Sequence, residues 1–161
     1  MSATVTIIEK NGAPGTPTDK TSGTVRHKNA DDANVDTNNP LVKGTAVDYS
    51  FEKWLRVKVT GGSYTQMSNI RAYTDGTNGW TGMALWWKKV TAYATPAEGT
   101  STTGYADAFS YTSAAPLTIG TGTYTGTGEM ADHLVSLMVA GTNAVGGMLT
   151  AESFTVAWDE I

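Results

Sequence analysis

Apolar and polar side chains alternate along much of this chain with a period of two. In Phe51-Glu52-Lys53-Trp54-Leu55-Arg56-Val57-Lys58-Val59-Thr60, Leu55, Val57 and Val59 fall on one side while Arg56, Lys58 and Thr60 fall on the other. That spacing predicts an antiparallel strand with one face on a core and one toward water. Residues 4–8 and 23–28 read as two further short strands, with the turn-rich stretch 11–18 between them as an arm or loop and the Asn/Asp-rich stretch 29–40 as a long loop. Gly61-Gly62 ends the strong strand and residues 69–74 resume. Asp75-Gly76 then offers hairpin chemistry, and residues 83–93 form another strand. Residues 95–103 read as a Pro/Gly/Ser/Thr linker and residues 106–111 as a brief strand.

Three later segments complete the pattern. The tract Gly120-Thr121-Gly122-Thr123-Tyr124-Thr125-Gly126-Thr127-Gly128 suits either an edge strand or a flexible connector. In residues 129–140, Met130, Leu134 and Met138 have i,i+4 helical spacing, whereas Leu134-Val135-Ser136-Leu137-Met138-Val139 reads as a buried strand. The strand reading is favoured by its context, since Phe154-Thr155-Val156-Ala157-Trp158 alternates cleanly after a Gly-rich connection. That last strand is expected to pair with its neighbour in sequence. Seven to nine short strands with no βαβ alternation predict an all-β, single-domain β-sandwich or jelly-roll with an extended N-terminal arm. Residues 1–46 would carry the first strand, the arm and the long loops, partly integrated with a core domain at 47–161.

Composition narrows the function classes. The 161 residues can bury one core, and only 16% are charged, with uncharged polar residues, Thr above all, taking their place. A formal net charge of -4 disfavours nucleic acid as partner, because phosphate binding needs a basic patch. Without cysteine there are neither disulfides nor thiolate metal sites. The first ten residues lack a basic start followed by a long apolar run, and no stretch reaches the length of a membrane span. The chain is therefore expected to be made in the cytosol, not to engage membranes, and to leave a cell only by lysis or within a particle.

Candidate chemistry is sparse. His27 and His133 have no further ligand at a metal spacing and read as structural. The carboxylates of Asp31-Asp32-Ala33-Asn34-Val35-Asp36 lack a calcium-loop pattern and read as solvated. Asp159 and Glu160, adjacent in a strand, point to opposite faces and make a poor acid/base pair. No nucleophile elbow or phosphate loop is present, so no residue is expected to serve as catalytic group, cofactor ligand or metal ligand, and the chain reads as a non-enzyme without cofactors. The five tryptophans carry more information. Trp86 and Trp87 are adjacent in a strand, so one faces the core and the other lies on the opposite face, exposed to solvent, covered by a loop or in a subunit contact. Val5, Ile7, Trp80, Trp86 and Trp87 are the candidate contact residues, with sugar stacking on the tryptophans of a carbohydrate-binding or adhesin module as the alternative.

At Asn69-Ile70-Arg71-Ala72-Tyr73-Thr74-Asp75-Gly76 and at Gly147-Met148-Leu149-Thr150-Ala151-Glu152-Ser153-Phe154-Thr155-Val156-Ala157-Trp158-Asp159-Glu160, the chain resembles small structural proteins of tailed bacteriophages. The resemblance runs from about Val47 to the C-terminus. It implies a β-sandwich virion component, foremost a capsid decoration or cement protein that binds the outer capsid surface and clamps neighbouring major capsid subunits. It further implies a homotrimer or dimer on the capsid lattice. The residues at 1–10 would then be free to add a strand to a neighbour's sheet edge.

Overall fold

The structure is a computed structural model that describes residues 2–161. Ten strands run through it: β1 Ala3–Asn11, β2 Thr16–Asp19, β3 Asp48–Tyr49, β4 Lys53–Gly62, β5 Met67–Tyr73, β6 Met83–Val90, β7 Ala106–Asp107, β8 Leu117–Gly120, β9 Gly128–Ala140 and β10 Thr155–Glu160. A 3-10 turn, Ala108–Ser110, follows β7 and is capped by the Asp107 side chain. All pairings are antiparallel, and they make two sheets. The large one runs β2-β1-β4-β9-β6-β7, with β3 also on β9, and the small one runs β10-β5-β8.

The alternation in β4 does what its spacing predicts. Leu55, Val57 and Val59 join Leu85, Trp87, Leu134 and Met138 on the inner face, against Met67, Ile70, Ala72 and Ile119 of the small sheet. β9 is the central strand, and every residue from His133 to Ala140 is buried. The ambiguity of that segment has a simple origin: a separation of four is one helical turn, and it is also an even number that keeps Leu134 and Met138 on one strand face. A continuous apolar run is what a strand covered on both sides requires. Its outer face is covered by residues 91–105. Tyr93 packs edge-on against Trp54 at 5.4 Å. Gly99, whose N–H donates to the Ser50 carbonyl, comes so near Leu137 that an added Cβ would lie 2.6 Å from Cδ1.

The structure differs from the sequence reading in several places. The N-terminal segment is extended, but as a strand of the large sheet bonded to β2 on one side and β4 on the other, with Ile8 and Glu9 buried. The turn-rich stretch after it is a hairpin: Gly12 and Gly15 at φ +69° make the turn, and Pro17 is tolerated because β2 is an edge strand. Residues 23–28 join no ladder and belong to a long segment folded back on the sheet. Asp75-Gly76 turns the chain with positive φ at Gly76, yet it links β5 of one sheet to β6 of the other, so it is a crossover and no hairpin. The tract 120–128 is a connector whose Tyr124 bridges to Met67. β10 pairs with β5 rather than with β9.

Candidate functional site

Three strands cannot cover seven. Where the small sheet stops short, the inner face of the large one is left under a cleft of about 920 Å³, within the size range of sites that hold ligands or partner segments. Its floor is Leu55, Leu85, Trp87 and Met138. One wall is the folded-back segment around Thr24–His27 and Leu41, and the other is residues 146–153 running into β10. Val5, Ile7, Val25, Leu41, Phe154 and Val156 all pack toward the core, yet each is only half-buried. On the rim, Val35, Val145 and Met148 are exposed, Met148 to 72%. Arg26 joins the two walls, its guanidinium nitrogens 3.7 Å from Met148 Sδ.

Four of the five candidate contact residues meet in this cleft: Val5 and Ile7 from β1, Trp80 from the β5–β6 crossover and Trp87 from β6. Trp87 is the inward member of its pair, stacked on Tyr111 at 6.2 Å and edge-on to Phe154 at 5.9 Å. Trp86 lies half-buried on the opposite face, paired with Asp107 of β7, and is not part of the cleft. Trp80 is pinned by its indole N–H to the Thr150 carbonyl at 2.8 Å and by edge packing on Phe109.

A polar cluster lies beside the cleft and reaches its lining through Lys20. Glu9, in register with the inward-facing Val5 and Ile7, is fully buried 3.1 Å from the equally buried Lys53. Lys20 approaches the other carboxylate oxygen at 3.7 Å and donates to the carbonyls of Thr24 and Ala33. Lys53 also donates to the Asp32 carbonyl at 2.6 Å. The carboxylates read as solvated loop charges are structural instead, since Asp32 and Asp36 hold the buried Lys28 at 2.7 and 3.0 Å. Burial works against the Lys28 charge, but the hydrogen bonds it donates to those two carboxylates outweigh it and raise its pKa. Asp31 accepts from Asn11 and Gly12, tying the same segment to the β1–β2 turn. At the chain end Asp159 binds Arg71 and Asn69, and Glu160 accepts from the Ala3 N–H, so these too are tied down.

The fold also brings together two residues that the sequence keeps 109 apart: His27 Nε2 and Ser136 Oγ lie 2.8 Å from each other on the cleft wall. This is the spacing of a hydroxyl nucleophile and its base. The electrostatics oppose that use. Burial first, and the Lys53 ammonium second, push His27 down to about 3, so the imidazolium that acyl transfer passes through is disfavoured. Among the described residues no carboxylate bonds the His27 ring to offset this. His133 is likewise lowered, by burial and then by Arg56 and Lys10, and it packs edge-on against Trp54. Among the described residues there is no group of three or more His, Cys, Asp or Glu placed to hold a metal, and no helix long and apolar enough to cross a membrane.

Sequence reasoning missed the buried ion pair although a signal existed. Extending the inward register of Leu55 and Val57 back by one step reaches Lys53, a charge at a core position. No family model, curated protein or solved structure matches the chain.

Proposed function

We propose that this protein is a structural component of a tailed-phage virion, a decoration protein that binds the outer capsid surface and holds neighbouring major capsid subunits together through the cleft. The observation that carries this reading is the half-covered apolar wall: six side chains face the core and are left incomplete by the chain itself. Full burial of one such side chain is worth ~1.5–3 kcal/mol, so completing several of them against a partner supplies ample contact energy. The phage-like segments supply the kind of partner, and the second of them, residues 147–160, forms one wall of the cleft. A partner that binds only the intact lattice shifts the equilibrium away from the disrupted one, which is how such a clamp stabilises a shell. A dimer or trimer on a symmetry axis would engage neighbouring subunits alike.

Sugar stacking needs an aromatic face open to solvent, whereas all five tryptophans are buried or half-buried and several spend their indole N–H groups on internal acceptors.

The test is co-sedimentation and direct imaging of the purified chain with expanded capsids of the cognate phage. Regular occupancy of the outer surface is expected, and Val145→Glu with Met148→Glu, both on the exposed rim, should abolish it while the protein stays folded. Absence of association, or occupancy unchanged by the rim charges, sinks the proposal.

A further inference from the structure

The strands at the ends of the two sheet paths are β2, β7, β8 and β10, and the first three are blunted. β2 carries Pro17, β7 is only two residues long, and β8 is four residues long with Pro116 just before it. Short edges and prolines are how proteins keep a stray strand from pairing. β10 is different. It has six residues with neither Pro nor Lys, it pairs with β5 alone, and Thr155, Val156 and Trp158 of this strand line the cleft. The ladder irregularity, which twists an edge away from partners, falls between Ala157 and Asp159 and leaves residues 155–157 regular. The open edge therefore runs beside the unfilled volume.

We propose that the cleft is a strand-addition site: an extended segment of a partner protein pairs with β10 as a fourth strand of the small sheet, and its alternate apolar side chains fill the space above Leu55 and Met138. Backbone groups of β10 supply the hydrogen bonds, and the half-covered Val5, Ile7, Phe154 and Val156 supply the pockets, the division of labour that strand addition uses. Charge selects the segment. Arg26 and Lys43 stand at the mouth, and neither is paired with a carboxylate among the described residues. Lys20 is already committed to Glu9, His27 is held neutral, and the one carboxylate on the wall, Glu152, accepts from the Gly79 N–H. The partner segment accordingly carries an acidic residue beside its apolar alternation.

The inference rests on the cleft being the contact site and does not depend on the partner being a capsid. The probe is a fluorescein-labelled peptide of alternating Val and Thr ending in Asp-Asp, titrated against the whole protein. Two controls accompany it: the same peptide with alternate backbone amides N-methylated, and one ending in Lys-Lys. Saturable binding of the Asp-ended peptide is expected, at least tenfold weaker for either control, with amide resonances of residues 155–157 shifting and gaining exchange protection. Arg26→Glu with Lys43→Glu should reverse the order of the Asp- and Lys-ended peptides. No saturable binding, or equal binding of the N-methylated peptide, overturns the proposal. So does oleate occupying the cleft while all peptides stay silent, which would make it a site for an amphipathic lipid. Peptide binding without capsid association overturns the virion reading and leaves the strand site standing. Capsid association lost on Met148→Glu while the peptides stay silent overturns strand addition alone.

Discussion

Glu9 and Lys53 face each other with no exposure to solvent. A buried pair of this kind contributes little net stability, because desolvating two ions consumes most of what their attraction returns. Breaking it is another matter. Lys53→Met alone leaves Glu9 buried with only the more distant Lys20 as counter-charge, and Glu9→Leu alone strands Lys53. Each single change should cost ~3–5 kcal/mol in denaturant unfolding, whereas the double change Glu9→Leu with Lys53→Met should recover most of the loss. Additive losses in the double variant would show that the two side chains act separately. The pair also explains why the long segment lies where it does, since Lys53 donates to the Asp32 carbonyl and Lys20 to that of Ala33. Residues 20–36 are thus held on the sheet in part by lysine hydrogen bonds to their backbone carbonyls.

At the level of elements, β1 and β10 decide the shape of the cleft. β1 has a long ladder to β4, with β2 on its other side from Ile8 to Asn11, and Ile8 and Glu9 are buried in it. Deleting residues 1–22 should consequently unfold the domain rather than trim an arm, seen as loss of the cooperative transition in circular dichroism. A truncated chain that melts like the full one would show β1 to be dispensable. The strands themselves were legible in the sequence wherever alternation was clean, as in β4, β6 and β10, and wherever an apolar run was long, as in β9. Pairing was not. Nothing local in Phe154-Thr155-Val156-Ala157-Trp158 distinguishes β5 from β9 as its neighbour, because backbone hydrogen bonds are alike along any extended strand and only the packing of both sheets together selects one. The hairpin at Gly12–Gly15 was hidden for a related reason, since turn residues mark a reversal without fixing whether a strand or a loop comes after it.

Across the whole molecule, titration of buried and half-buried groups is coupled to stability. His27, at about 3 against an ordinary 6.5, and His133, also lowered, stay neutral in the fold. The unfolded chain takes up protons that the folded chain refuses, so stability falls as pH drops below about 6.5. Below about 4.5 a second loss begins, as Glu52, Glu129, Asp32 and Asp36 are protonated and their hydrogen bonds and ion pairs fail. For Glu52 and Glu129 burial works against the carboxylate, and the hydrogen bonds and cations around them outweigh it. Melting temperature measured against pH should therefore decline in two stages, and His27→Asn should flatten the slope of the upper stage while leaving the lower one. A profile that is level between pH 6.5 and 4.5 would contradict the neutral state of His27.

The chain by itself determined its class and the faces of its strands. Period-two alternation in a Thr-rich, weakly charged chain admits little besides an all-β sandwich, because a side chain's direction in a strand depends only on its place in the count. The same count placed Val57 inward and left Trp86 and Trp87 on opposite faces. Which of the two went inside, which strands became neighbours, and that a three-stranded sheet would stop short of a seven-stranded one were settled by packing between segments far apart in sequence. The cleft is a product of that last mismatch. It is bounded by β1, the folded-back segment and β10, whose lining residues lie up to 153 positions apart, from Val5 to Trp158, and no local pattern in any one of them records the space that the others leave open.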